Sequence, residues 1–589
     1  MIRISDNKKI IPLLIGADLL LTVLAKLLHG IFTVYELLFI FYEFGCLLVF
    51  LYTLITGKAK LRIMPLLELS CFMLFGIAAY STLTYGQASI HGDTAIATLL
   101  SQAELKYRSL LPRSWVYANG DLWILDTQLA TLPFTLILKN QSLARMLGTL
   151  VMMILGAAGL YLLDRYLLHS GSHLISIPVL FVFFFGGNYT LMWGNDHIIY
   201  QASYTCWLFL IPAILILTYH VISNDVIKES KGRIYLAIYL IFAVICYARG
   251  VRAAAELMIP VAGASLLLGQ IRDPKLITKK KLFDMALVFI PMILGLLIYK
   301  AILATHIVNI SSTSSAVFVA SQEEMLTNLV TAFRNLFNIF GFNKGVAAAS
   351  VEGLADLVAI FCCLLFVFVF PALEISKLRE EEEGFVFFFI YAMIHNCLML
   401  IATICFSGKT SPSHILSFVL VSVMLSSHYV MKHLMTVKDT GKIFCILFLI
   451  ASLIMGSQLA LKSRGWTGKL ADRRYAAEVL MEHGLSDYMG YGTFWNIYPL
   501  SIYSNLKLDV AAIGYSDLAV GLTPHANLVD INKYSPQPDK KGAYILLNYN
   551  ENEELGGTLE SVIGECSEKF TIGEDHIYVW DHDICSYLE

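Results

Sequence analysis

Apolar positions along this chain gather into unbroken blocks of about twenty residues, the length that crosses a hydrocarbon layer about 30 Å thick at about 1.5 Å rise per residue. Such blocks predict helices, because in lipid every backbone N–H and C=O must find its partner within its own segment. Spans are expected near residues 10–29, 31–56, 63–84, 144–163, 174–193, 201–222, 234–249, 253–270, 283–303, 353–373, 385–406, 414–434 and 443–462. The predicted architecture is an all-α polytopic membrane protein of about thirteen transmembrane helices over residues 1–462, with long connections at 85–143 and 304–352. The first block is followed at once by another and has no small-residue cleavage site, so an uncleaved first helix is expected.

The pattern changes after residue 462. ADRRYAAEVLMEHG and FWNIYPLSIYS predict helices, while LKLDVAAI, AYILLNY and HIYVWDH predict strands, with Gly, Pro, Asn and Asp between them. Residues 463–589 are therefore expected to form a small soluble α/β domain.

Basic residues orient the spans, since short positive connections stay in the cytoplasm. Arg3, Lys8 and Lys9, then Lys58, Lys60 and Arg62, then Lys228, Lys231 and Arg233, then the group from Arg272 to Lys281, then Lys377 and Arg379, then Lys438 and Lys442 fall on alternate connections. That parity predicts a cytoplasmic N-terminus and places 85–143, 304–352 and 463–589 outside, in a multi-pass protein of the plasma membrane. The acidic run at 380–383 is expected to be a solvated cytoplasmic turn.

Composition agrees: 57% of the chain is hydrophobic, 15% is charged and the mean hydropathy is +0.67. A formal net charge of −3 gives no basic surface for a nucleic acid. No P-loop, dinucleotide fingerprint, CxxC or HExxH occurs, so ATP, NAD and clustered zinc chemistry are not indicated. Most of the 11 cysteines sit in apolar helices as small hydrophobes. Cys566 and Cys585, both in the C-terminal domain, are open to either a disulfide or free thiols.

The informative polar stretch is the first long connection. HGD at 91–93 leads into a helix in which Ala95, Ala97, Leu99 and Leu100 are expected to lie along the membrane while Gln102, Glu104, Lys106 and Arg108 face polar surroundings. Pro112, Trp115, Tyr117, Trp123 and Pro133 suit a structured interfacial loop. This layout, with HGD, WVYANGDLWI and a second acid in WGNDHIIYQ, resembles the GT-C superfamily of integral membrane glycosyltransferases. The simplest GT-C pattern puts the acid after the first span, whereas here two further helices precede it.

The resemblance implies a polyprenyl-phosphate-linked sugar donor and transfer to a glycan, lipid or protein acceptor on the outer face, for modification of a cell-envelope glycan. Three things are then needed: a carboxylate to take the acceptor proton, cations to hold the departing phosphate, and an apolar groove for the polyprenyl chain. Asp93 is the candidate base, against the plain role of capping a helix that starts at Thr94. Asp196 is the second candidate acid, and His91, His197 and Glu104 are candidate assisting groups. Arg249, Arg252 and Lys409 are candidate phosphate ligands; against this, Glu256 stands four residues after Arg252 and can neutralise it. Asp93 with Asp196 would suit Mg²⁺ or Mn²⁺ as oxygen ligands, with the metal question left open. A transporter, or a flippase or polymerase of lipid-linked glycans, is the rival reading; neither repeated halves nor paired broken helices favour it. A noncatalytic envelope scaffold is the third.

Overall fold

Where the apolar blocks are described, helices fill them. In a computed structural model the described residues are chiefly 86–118, 120–169, 205–223, 230–274, 278–311, 319–340, 349–406, 412–434, 467–515, 522–525 and 527–588, with scattered positions elsewhere. Six helices among them are long and apolar enough to cross a membrane: Gln141–Leu168, Val251–Arg272, Lys279–Ala304, Asp356–Glu380, Glu383–Cys405 and Ile415–Leu434. They coincide with the blocks near 144–163, 253–270, 283–303, 353–373, 385–406 and 414–434. The blocks near 201–222 and 234–249 form the shorter apolar helices Trp207–Ser223 and Ser230–Tyr247. Those near 10–29, 31–56, 63–84, 174–193 and 443–462 lie wholly or largely outside the described residues. The count of about thirteen therefore extends beyond what is described.

The chain divides into two compact units, one of residues 1–82, 152–298 and 317–463, the other of residues 83–151, 299–316 and 464–589. The first is helical. Four of its spans carry a π-helical stretch, at Asp164–Leu168, Ala254–Met258, Leu364–Val369 and Val430–Leu434. Each adds a residue to a turn and rotates the side chains that follow. Gly250, with φ 125°, allows the break between Tyr247 and the span at Val251. The connection 304–352 also holds an unforeseen helix, Gln322–Ile339, begun by a capping box in which Ser321 and Glu324 satisfy each other's backbone N–H groups. Its Asn328 amide donates to the carbonyls of Ile404 and Phe406, at the end of the Glu383–Cys405 span.

The second unit, whose elements are numbered here in chain order, is assembled from three separate stretches of sequence. The first supplies α1 (Gly92–Tyr107), β1 (Trp115–Tyr117) and α2 (Thr127–Ile137). The second supplies β2 (Asn309–Ile310). From the third come α3 (Thr467–Glu482), β3 (Tyr488–Gly492), α4 (Phe494–Tyr503), β4 (Asp509–Tyr515), β5 (Leu522–Pro524) and β6 (Val529–Asp530). It continues with β7 (Gly542–Leu547), α5 (Tyr549–Ile563), β8 (Glu568–Ile572) and β9 (Asp575–Trp580).

A six-stranded mixed sheet runs β5-β4-β3-β7-β9-β8, with β3 parallel to both β4 and β7 and with antiparallel pairs towards each edge. Leu555, Leu559 and Ile563 of α5 pack on Met489, Ile545, Tyr578 and Trp580 of the sheet. A second, three-stranded sheet joins the stretches, because β1 pairs in parallel with β2 and antiparallel with β6. Strands that share backbone hydrogen bonds share a side of any membrane, so residues 115–117, 309–310 and 529–530 lie on one side.

The expected interfacial helix needs correction. Ala95, Ala97, Leu99 and Leu100 are buried, but so is Glu104, at 3% exposure. α1 is enclosed by α2 on one flank and α4 on another; Lys106 and Arg108 alone of the four polar positions are exposed, while Gln102 is half-buried. Cys566 and Cys585 are free thiols.

Candidate functional site

The N-terminus of α1 is held from two directions. A Cβ on Gly92 would stand 2.6 Å from the Phe494 ring and 2.8 Å from its carbonyl oxygen, so only glycine lets α4 pass this close. On the other side Arg145, buried at 1% exposure, donates from Nε to the Thr94 carbonyl at 2.7 Å and from Nη1 to Thr149 Oγ1 at 2.5 Å. Ser101 Oγ bonds the Gln128 carbonyl at 2.8 Å and ties α1 to α2.

Asp93 sits in the first turn of this fixed helix, half-buried. The helix starts at Gly92 with His91 at the N-cap, so the capping position is not Asp93's, although a carboxylate in the first turn still gains from the helix dipole. His91 makes no side-chain cap; its ring lies 5.7 Å from that of Trp495.

Glu104 does not assist at Asp93. Eleven residues of helix separate the two, about 16 Å along the axis. The Glu104 carboxyl is buried, as is the Tyr117 side chain. Burial pushes the Glu104 carboxyl up to about 8, and the Gln128 side chain offsets part of that rise. Burial, reinforced by the nearby Glu104 charge, likewise pushes the Tyr117 hydroxyl well above its ordinary value. A carboxylic acid that keeps its proton near neutrality can donate it, which an ordinary glutamate cannot.

The opposite face of α1 borders an open cleft of about 50 Å³, lined among others by Gln102, Lys106, Trp115, Tyr498, Asp509 and Lys533. Lys533 and Lys540 stand 2.8 Å and 3.7 Å from Asp509. Burial would raise the Asp509 carboxyl, but Lys533, Lys540 and Lys106 outweigh it and hold it below the usual carboxylate range. Tyr107 donates to Asp530 at 2.8 Å at one end of this wall.

The arginine pair belongs to the helical unit. Arg249 is buried and Arg252 partly exposed, and their guanidinium carbons lie 5.0 Å and 5.3 Å from the Trp207 ring. Arg252 Nε meets Glu256 at 3.5 Å, as the four-residue spacing allows, and Glu256 also meets His395 Nε2 at 2.7 Å. The structure thus brings Arg249 and Arg252 together, and groups His91, Asp93 and Glu104 in the other unit. Asp196, His197 and Lys409 lie outside the described residues. Sequence reasoning missed Arg145, whose signal was a lone arginine at the head of an apolar span, and the burial of Glu104.

Fold and site together define a polytopic helical membrane protein with a mixed-sheet unit carrying a buried acid and a fixed helix N-terminus. No protein-family model and no curated protein matches the chain. Among solved structures it is similar to the crystal structure of ArnT from Cupriavidus metallidurans bound to undecaprenyl phosphate, at 12% identity over 86% of this chain and 97% of that one, with a TM-score of 0.46. It is also similar to the apo state of the same protein, at 11% identity over 84% and 94%, with a TM-score of 0.42. Likeness at this level leaves the chemistry to be read from this chain's own residues.

Proposed function

We propose that this protein is a membrane glycosyltransferase that moves a sugar from a polyprenyl-phosphate-linked donor to an acceptor on the extracytoplasmic face. The observation that carries the reading is Asp93, a half-buried carboxylate in the first turn of a helix whose start is clamped by Arg145 and by the close passage of Phe494. Positioning of this kind is what a general base needs. The assembly of one unit from 83–151, 299–316 and 464–589 supports the topology, because charge distribution assigns all three stretches to the outside.

In the reaction, Asp93 accepts the proton of the acceptor hydroxyl as its oxygen attacks the anomeric carbon. The bond from that carbon to the phosphate oxygen breaks, and polyprenyl phosphate leaves with the electron pair. Arg249 and Arg252 are suited to the phosphate, since a guanidinium donates two parallel hydrogen bonds to it; Lys409 adds a third cation. Asp196 and His197 are the further acid and assisting group of this proposal. The Lys533 and Asp509 cleft is suited to hydroxyl groups of the acceptor.

The test uses purified protein with a radiolabelled polyprenyl-phosphate sugar and an envelope lipid fraction. Asp93→Asn is expected to lower transfer by about 100-fold or more while elution volume and unfolding temperature stay unchanged. Undiminished transfer in that variant removes Asp93 as base. Movement of intact donor across a vesicle membrane without transfer overturns the enzyme in favour of transport, and labelling of a cysteine at 93 or 500 from the cytoplasm overturns the topology.

A further inference from the structure

We infer that Glu374, Glu381, His428 and His433 form a buried transition-metal site of the zinc class in the helical unit. One donor atom from each lies within 4.8 Å of those of the other three. Glu374 closes the span Asp356–Glu380, Glu381 is in the turn that follows, and both histidines end the span Ile415–Leu434. His428 Nδ1 lies 2.6 Å from Glu374 Oε1 and its Nε2 3.3 Å from Glu381 Oε2. His433 Nε2 lies 3.0 Å from Glu381 Oε1 and 4.0 Å from Glu374 Oε1. Bonds of about 2.0–2.1 Å in a tetrahedron put neighbouring donors about 3.3 Å apart; with Nδ1 as the one ring nitrogen that His428 gives to the ion, the separations of 2.6, 3.0 and 4.0 Å straddle that value.

Charge argues the same way. The side chains of Glu374, Glu381 and His428 are 0% exposed. Two carboxylates removed from water need two positive charges, and Lys432, 2.5 Å from Glu381, supplies one. The charge left over favours a bound cation, and imidazole with carboxylate suits zinc and its first-row neighbours. Glu374 Oε2 is moreover buried without a hydrogen-bond partner among the described residues. The rings are already oriented: Phe385 stacks on His428 at 3.7 Å and 18°.

The backbone explains how residues five apart reach one centre. In an α-helix, positions i and i+5 diverge by about 140°. The π turn Val430–Leu434 lies between His428 and the end of the span, and its wider turn brings His433 back to the same face. A π stretch at Leu364–Val369 likewise precedes Glu374. An ion here would pin two spans, Asp356–Glu380 and Ile415–Leu434, to each other and to the turn at Glu381.

The test takes the full-length protein purified in detergent. Elemental analysis is expected to find about one zinc per chain, and the stripped protein is expected to take up Co²⁺ with the intense visible absorption of a tetrahedral site. His428→Gln with His433→Gln should lose both signals, and Glu374→Gln should weaken Co²⁺ uptake by about 10- to 100-fold. Asp93→Asn should retain both. Less than about a tenth of an equivalent in the wild type, with no tetrahedral Co²⁺ spectrum, overturns the site and leaves an ion-pair network. Loss of metal in Asp93→Asn but not in the histidine variant overturns it equally, by placing the ion elsewhere. The wild-type measurements stand even if the double variant fails to fold.

Discussion

Glu104→Gln separates a buried neutral acid from an ordinary glutamate. Burial raises the carboxyl from 4.5 to about 8, so the folded chain holds this proton more tightly than the unfolded one. Below about pH 4.5 both states are protonated and the stabilisation is fully present; it is lost as pH rises from there towards 8 and the penalty is constant beyond. At about 1.36 kcal/mol per pH unit the full window has an upper bound of about 5 kcal/mol, and solvent screening reduces it to about 2–3 kcal/mol. Glutamine has the same shape and carries no charge at any pH, so the variant lacks this slope. Thermal unfolding in detergent at intervals from pH 5 to pH 8.5, followed by intrinsic fluorescence, should show the variant gaining on the wild type by about 2–3 °C across the window. Subtracting one profile from the other cancels the remaining titrating groups. Parallel profiles would refute the argument, because they would mean that Glu104 ionises in the folded chain as it does in the unfolded one.

Gly92→Ala drives a methyl group against the Phe494 ring and carbonyl; the expected cost is about 1–3 kcal/mol, read as a lower unfolding temperature and faster proteolysis after residue 93. Arg145→Met removes the donors to Thr94 and Thr149 and should lower turnover in the proposed transfer more than affinity for the proposed donor, with about 1–3 kcal/mol of stability lost; a rise in that donor's apparent KM with unchanged turnover would contradict the clamp. Tyr107→Phe takes away the bonds to Asp530 and from Asn532 and should cost about 1 kcal/mol by thermal unfolding, less if Asp530 is also changed to Asn.

The six described spans were legible because lipid imposes one rule on them, block length. Inside the second unit the signals compete. α1 was expected at the right place, yet its run of Ala, Thr and Ser packs on several sides, so Thr94, Thr98 and Ser101 are as buried as Ile96; pattern alone cannot tell such a helix from one lying on a membrane. The strand β3 was missed because YMGYG is glycine-rich, and the glycine is there for packing: a Cβ on Gly490 would meet the Tyr544 ring at 2.4 Å. The helix α5 was missed through Gly556 and Gly557, although its capping box of Asn548 and Glu551 stood in the sequence.

Local geometry was legible where it depended on position in a regular helix and hidden where it depended on helical phase. Asp93 after a span and Arg252 four residues before Glu256 follow from spacing in a regular helix. His428 and His433, five apart, look unrelated on an α-helical wheel, and nothing in the sequence announces a π turn. Glu381 was taken for part of a solvated acidic turn, yet its side chain is fully buried while Glu380, beside it, is 64% exposed. The turn is solvated on one side only, because Lys432 and two histidines from another span claim the carboxylate on the other. Three of the four groups in this cluster are placed by irregular backbone, two by π stretches and one by the turn between spans, so the irregularity that hid the cluster from sequence pattern is also what brings it together.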